Sequence, residues 1–347
     1  MLASTPPSAP HGAVASGPDH RARHRARARQ DAPVDEVREI ALEALRHYDV
    51  APRRLSRAAR SFNSVFRVTA ASGTHALRVG AEQRIHADGT LATEAAWLRR
   101  LAERGMVVPA LRTNWAGEVG TVVAARDAVP RTCALFDWVA GRSLRARLTA
   151  PTAARLGRLA AQLHADAEDW GLVDPPDVLV ADRVLYWRVP VRLTAPDIPF
   201  HDVFADALDR AQAALDELWR TPPHRPHLLH GDLTPANVIV TNDGTLVPID
   251  FQDVVWGFDV QDLAITIVAL RRAPGGPRLV EAFRDGYASL RPWPASPPEL
   301  VEALVAARVL GMVNLVVTVH GPADRGDYLA AHAQRLRQWL DPRRPTA

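Results

Sequence analysis

The chain of 347 residues contains no lysine: all 42 of its basic side chains are arginine, set against 39 acids. A genome biased toward arginine codons accounts for this, but any chemistry that elsewhere employs lysine must here use arginine or go without. Cysteine is almost as scarce. The single Cys133 excludes an internal disulfide and fits a reducing, cytoplasmic setting. Lying in the apolar run TCALFDW, it reads as a buried structural thiol rather than a nucleophile. No apolar run is clean enough to read as a membrane span. The longest, VEALVAARVLGMVNLVVTV, is broken by Glu302, Arg308 and Asn314 and reads as a buried helix. Residues 1–33, which include HRARHRARARQ, lack an apolar h-region and so are no secretory signal. They are expected to form a disordered basic tail. Nothing elsewhere points to nucleic acid.

What is present is a globular composition with 47% hydrophobic residues and enough length for two lobes. The net charge of +3 is unevenly spread: residues 1–150 hold 23 arginines against 14 acids, and the remainder 19 against 25. VDEVREIALEALRHYDV is an amphipathic helix. The runs SVFRVTA, THALRVG, GTVVAA and CALFDWV read as strands, with ASG a hairpin turn between the first two. LATEAAWLRRLAERG is a helix closed by Gly105. Beyond about residue 140 helices dominate: PTAARLGRLAAQLHADAEDWG, HDVFADALDRAQAALDELWR, PELVEALVAARVLGMVNLVVTV and YLAAHAQRLRQWL. The class is α+β, with a small antiparallel N-terminal sheet (34–137) followed by a larger helical part (138–347), joined near Asp137–Gly141.

The chemistry concentrates in LLHGDLTPANVIVTNDGTLVPIDFQD, residues 228–253. TNDG between two apolar runs is a hairpin signal. Folding about Asp243 sets Asn237 against Ile249 and Asp250, and the loop at Pro235 projects Asp232 on the same side. An amide oxygen and a carboxylate are hard donors suited to Mg²⁺ completed by substrate phosphates. A further carboxylate outside the metal shell could take a proton from an attacking hydroxyl, as phosphoryl transfer requires. Singly, each of these residues could be a solvated Asx turn; the H-x-D-x4-N spacing followed by a hairpin and I-D-F is far more specific.

HGDLTPANV and IDFQDVVWGFDVQDLA resemble the catalytic and metal-binding motifs of the aminoglycoside phosphotransferase/choline kinase-like family, small-molecule kinases with a protein-kinase-like fold. The resemblance covers about residues 35–340 and implies ATP-dependent transfer of the γ-phosphoryl group to a small-molecule hydroxyl. It implies Asp232 as catalytic base, Asn237 and Asp250 as Mg²⁺ ligands, and supporting roles for Asp262 and His230. On the nucleotide side it implies Arg78 on the third strand, where the family places a cation, and Glu94 as its carboxylate partner. The phosphate flap would be RSFNSVF, which has no glycine, so the backbone amides of Phe62, Asn63 and Ser64 must serve. Adenine would lie against LFDWVAG, bonded to the backbone of Asp137 and Val139 with Phe136 behind.

His164 matches a leucine-histidine pair of the family and reads as a supporting residue; Trp138 and Trp256 lie near the cleft and read as packing. The stretch DRVLYWRVPVRLTAPDIPFHDVFADAL is expected to line the acceptor site. An acidic C-terminal half suits a cationic acceptor, whereas Arg183, Arg188 and Arg192 suit an anionic one, and the sequence leaves both open. A protein kinase is disfavoured by the missing G-x-G-x-x-G and A-P-E elements. A nucleotide-binding pseudokinase with a regulatory role is the alternative to the enzyme.

Overall fold

The computed structural model describes residues 34–341 apart from Ser61, 125–128 and Asp324, so the tail assigned to 1–33 lies outside the described residues. The N-terminal region opens with helix α1 (Val34–Leu45), followed by strands β1 (Pro52–Arg60), β2 (Ser64–Ala70) and β3 (Gly73–Val79). Helix α2 (Thr90–Glu103) and strands β4 (Leu111–Arg112), β5 (Thr121–Val123) and β6 (Arg131–Asp137) complete it. The sheet is antiparallel, in the order β1-β2-β3-β6-β4, with β5 also paired to β6.

Period-two alternation along β3 explains how this sheet serves a site. Leu77 and Val79 are buried against Ile40, Ala44 and Leu45 of α1, which covers one face. Arg78 therefore emerges on the opposite face, between Val65 of β2 and Ala134 of β6. Cys133 lies on the covered face with no exposure, and burial pushes its thiol up to about 12, so it is not a nucleophile at neutral pH.

The C-terminal region begins with β7 (Arg142–Ser143), α3 (Ala150–Trp170), β8 (Leu179–Val180), α4 (His201–Arg220) and β9 (His227–Leu229). Strands β10 (Val238–Val240), β11 (Leu246–Pro248) and β12 (Val255–Gly257) follow. Helices α5 (Asp259–Arg271), α6 (Gly276–Ala288), α7 (Pro298–His320) and α8 (Gly326–Leu340) close the chain. Two small three-stranded sheets, β11-β10-β7 and β8-β12-β9, carry the loops between the helices. Helices α3 and α6 run in close contact because each offers a glycine. A Cβ on Gly157 would stand 2.0 Å from the Phe283 carbonyl oxygen, and one on Gly286 1.8 Å from that of Ala154. Two apolar cores result, one around α3, α6, Phe251 and Trp256 and one formed by α4, α5, α7 and α8.

Helix α7 is long and apolar enough to cross a membrane by length and composition, yet Leu310, Val313 and Val317 are buried in the second core. Helix α2 joins the N-terminal sheet to the first core. Trp97 meets Phe251 edge-on at 5.4 Å, and its indole N–H donates to Asp166 over 3.1 Å.

Candidate active site

The hairpin about TNDG has the register expected of a turn centred on Asp243. Val238 pairs with Pro248, Ile239 with Val247 and Val240 with Leu246, a fold centred on Asp243. The next step of the ladder is the Ile249 N–H donating to the Asn237 carbonyl over 2.9 Å, which leaves Asp250 just beyond the open end. Asp250 takes a left-handed backbone conformation (φ 66°), a region that aspartate tolerates better than most residues. Its Oδ1 lies 3.7 Å from Nη1 of Arg78.

Asp232 stands at the other side of the same loop. Its Oδ2 accepts from the Asn237 side-chain amide over 2.7 Å, and its backbone carbonyl accepts from the same amide over 3.0 Å. That turns the nitrogen of Asn237 toward Asp232 and leaves its amide oxygen for a cation. Oδ1 of Asp232 accepts from Nη2 of Arg308, a residue 76 positions downstream in α7, over 2.6 Å. Burial pushes the Asp232 carboxyl up to about 6, with the Arg308 charge opposing. Burial pushes Asp250 further, to about 7, with Arg78 opposing.

The loop is held from below by a buried polar network. Asp262 accepts the His230 N–H over 3.2 Å and the Gly231 N–H over 3.0 Å, and His164 Nε2 lies 3.2 Å from the same carboxylate. Burial opposes ionisation of Asp262, but its bond to His164, the charge on that histidine and the Gly231 N–H hold its pKa below the usual carboxylate range. Gly231 is required here: at φ +76°, an added Cβ would stand 1.9 Å from the Asp253 carbonyl oxygen. His230 Nε2 faces the Ile249 carbonyl at 3.2 Å while Nδ1 accepts the Asp232 N–H over 3.3 Å. Nδ1 therefore carries no proton, His230 is neutral, and burial lowers its pKa.

On the nucleotide side, Arg78 and Glu94 form a bidentate pair, with N–O distances of 2.9 and 2.5 Å. Glu94 is 1% exposed and the guanidinium lies over the Phe136 ring at 5.0 Å, so Arg78 is rigidly aimed. Asn63 is engaged through its side chain: Oδ1 accepts the Ala81 N–H over 2.9 Å and Nδ2 donates to Gln252. The flap tip is thereby tied to the residues just after Asp250, and Ser64 opens β2 beside it. A cavity of about 150 Å³ lies between Asn63, Arg78, Glu94, His86 and Gln252. The Asp137 N–H donates to the Ala110 carbonyl over 2.8 Å, so the group Asp137 can offer a base is its own carbonyl, with Val139 two residues on.

The sequence reasoning did not connect Arg308 to Asp232, nor His86 to Asp253, which meet at 2.8 Å. The available signal for Arg308 was a lone charge inside an apolar helix, which has to find a partner. For Asp253 it was a second carboxylate three residues after Asp250. Arg188 and Arg192, named as acceptor candidates, are engaged with Asp88 at 3.6 Å and Asp197 at 2.7 Å.

Among the described residues no group of three His, Cys, Asp or Glu side chains converges as a self-sufficient metal site. The donors present, an aspartate and an asparagine oxygen beside an arginine-lined cavity, fit a hard cation that completes its shell with phosphate and water. A two-part α+β architecture with a raised carboxyl, an oxygen-donor pair and a carboxylate-anchored arginine at the junction fits a kinase-like phosphotransferase.

The family comparison agrees. The model of the phosphotransferase enzyme family (APH) matches residues 53–300, and the chain belongs to that family. Among solved structures it is similar to a microcompartment-associated aminopropanol kinase, with 24% identity, a TM-score of 0.68, and coverage of 87% of this chain and 97% of that one. It is also similar to an amicoumacin kinase solved with AMP-PNP and Ca²⁺, with 15% identity, a TM-score of 0.66 and coverage of 93% and 98%. A spectinomycin phosphotransferase in complex with ADP follows at 13% identity, TM-score 0.51, and 88% and 95% coverage. At these identities the structural likeness establishes the protein-kinase-like fold. No curated protein matches the sequence significantly.

Proposed function

We propose that the chain is a cytoplasmic, Mg²⁺-dependent kinase that moves the γ-phosphoryl group of ATP to a hydroxyl of a small molecule, binding the nucleotide between lobes 34–137 and 138–347. The observation that carries this reading is the hairpin register, which brings Asn237 and Asp250 to one end while Asp232 faces the same opening. Asp232 accepts the proton of the attacking hydroxyl as the new O–P bond forms and the bond to the leaving ADP breaks. Its pKa of about 6 leaves it ionised at neutral pH yet basic enough to serve. Arg78, braced by Glu94, binds phosphate oxygens; Phe62, Asn63 and Ser64 cover them with backbone amides. The Asp137 carbonyl and Val139 N–H hold the adenine edge, and Phe136 lies behind. Asn237 and Asp250 would hold the metal, whose charge offsets that of the phosphates. The nucleotides in the similar amicoumacin kinase and spectinomycin phosphotransferase support a nucleoside triphosphate as donor.

The test is nucleotide consumption with Mg²⁺ against a panel of small hydroxyl compounds, run beside Asp232→Asn. Turnover that falls by about 10²-fold or more in the variant, with Mg·ATP binding retained, supports the assignment. Unchanged turnover in Asp232→Asn would remove Asp232 as the base. Mg·ATP binding with no turnover on any acceptor would favour a regulatory pseudokinase.

A further inference from the structure

The surroundings of Arg308, the partner of Asp232, carry a charge pattern that the composition of the C-terminal half does not foreshadow. A cavity of about 50 Å³ opens between α7 and the segment that ends at Trp187, lined among others by Arg183, Tyr186, Trp187, Gln261 and Arg308. At the ~10–15 Å³ that one water needs, it has room for a carboxylate or phosphate head. No Asp or Glu lines it. Arg308 and Trp187 stack at 5.2 Å, and each keeps one buried N–H without a hydrogen-bond partner: Nη1 of Arg308 and the indole Nε1 of Trp187. Trp187 is only 7% exposed. Gln261 is fully engaged: its oxygen accepts the Phe258 N–H over 2.9 Å and its nitrogen donates to the Ala181 carbonyl over 2.6 Å.

Buried donors left unpaired are costly, and they are relieved by a group rich in acceptors. An ammonium would find no carboxylate in the lining, and Oδ1 of Asp232 already accepts from Arg308. We propose that the acceptor of this kinase carries an anionic group, a carboxylate or a phosphate, bound by Nη1 of Arg308 and Nε1 of Trp187, so that the substrate is a short hydroxy acid or phosphorylated alcohol rather than an amino compound. Arg183 at the rim adds a second positive charge to draw it in. Arg308 then links the two ends of the substrate. Nη2 contacts the base that receives the hydroxyl proton, and Nη1 contacts the anion. With hydrogen bonds of about 2.8 Å, hydroxyl and anion stand roughly 3–6 Å apart, the span of a two- to four-carbon acceptor.

The proposal rests on the kinase reading, and the test separates the two. Mg·ATP binding is measured first, by displacement of a fluorescent ATP analogue. ADP release is then followed with glycerate, 3-hydroxypropanoate and 4-hydroxybutanoate, with glycerol 3-phosphate, and with propane-1,2-diol, 1-amino-2-propanol and kanamycin. The expected result is kcat/KM at least tenfold higher for the hydroxy acids or the phosphorylated alcohol than for any diol or amine, and which of the two leads identifies the anion. Trp187→Phe keeps an aromatic side chain but removes the N–H donor, together with part of the indole volume. It should lower kcat/KM for the preferred anion about 10-fold or more relative to propane-1,2-diol, leaving the KM for ATP within about twofold. Arg308→Gln should add to that loss. A preference for 1-amino-2-propanol or kanamycin, or Mg·ATP binding with no turnover of any anionic acceptor, overturns the proposal and leaves the nucleotide site standing. Failure to bind Mg·ATP sinks the kinase reading and the proposal with it.

Discussion

Replacing Asp250 by asparagine should make the nucleotide-free protein more stable at alkaline pH while abolishing its response to magnesium nucleotide. Burial raises the Asp250 carboxyl from an ordinary 3.8 to about 7. The native state therefore holds a proton between these values that the unfolded chain has released. At 1.36 kcal/mol per pH unit this amounts to about 4 kcal/mol against the ionised form at most. The side chain is 34% exposed, so solvent screens much of that, and about 1–2 kcal/mol is the working figure. The cost is fully present above pH 7, where the wild type is ionised, and disappears as pH falls toward 4. Asparagine keeps the shape and tolerates φ 66° as aspartate does, so the exchange isolates the charge. Thermal unfolding without ligand at pH 8 should show Asp250→Asn higher by about 2–6 °C, with the gap closing near pH 4.5. Added Mg·ATP should raise the wild-type midpoint and leave that of the variant in place. A ligand-free variant less stable than wild type at pH 8, by the same margin at pH 4.5, would refute the reasoning; Asp250 would then be a structural partner of Arg78.

Arg78→Lys loses the two-pronged contact with Glu94, and its KM for ATP should rise about 10-fold or more in steady-state kinetics. Asp262→Ala strips the acceptor from the His230 and Gly231 N–H groups and leaves His164 short of a partner; a loss of about 3 kcal/mol in urea denaturation and a fall in kcat are expected. With Asp232 near 6, kcat should fall about tenfold per pH unit below that value and level off above it, and Asp232→Asn should lack this acid limb in its residual rate.

The sequence carried the hairpin of residues 238–248 in full because the determinants there are local. TNDG sets the turn, and period two then sets every pairing as far as Asn237 and Ile249. Arg78 was legible for the same reason, since its alternation with Leu77 and Val79 names the face on which it emerges. Strand β1 was missed. PRRLSRAAR shows no alternation because the strand is an edge with two register shifts, Leu55 is buried, Arg53 and Arg54 face solvent and Arg57 lies over the Phe66 ring. Helix α5 went unnamed for a different reason: it is buried nearly all round and so lacks an amphipathic stripe to read, whereas α6, also unnamed, does carry one. Arg308 could not be assigned at all, because its partner lies 76 residues away and only the packing of α7 against the catalytic loop makes the contact.

That long-range packing is what gives the aspartates different jobs. Six of them fall between residues 232 and 262; Asp243 lies in the exposed turn, and for the other five, Asp232, Asp250, Asp253, Asp259 and Asp262, burial disfavours the charge. For three of them nearby histidines overcome burial: His86 at Asp253, His164 and His227 at Asp259, and His164 at Asp262. These stay ionised and fix the backbone that carries the loop. For Asp232 and Asp250 the arginine opposite only partly offsets burial, and the carboxyls remain well above the ordinary range. Raised carboxyls are the ones with free energy to gain from a proton or a cation. The chemistry proposed for each follows from that difference, a proton for Asp232 and a metal for Asp250.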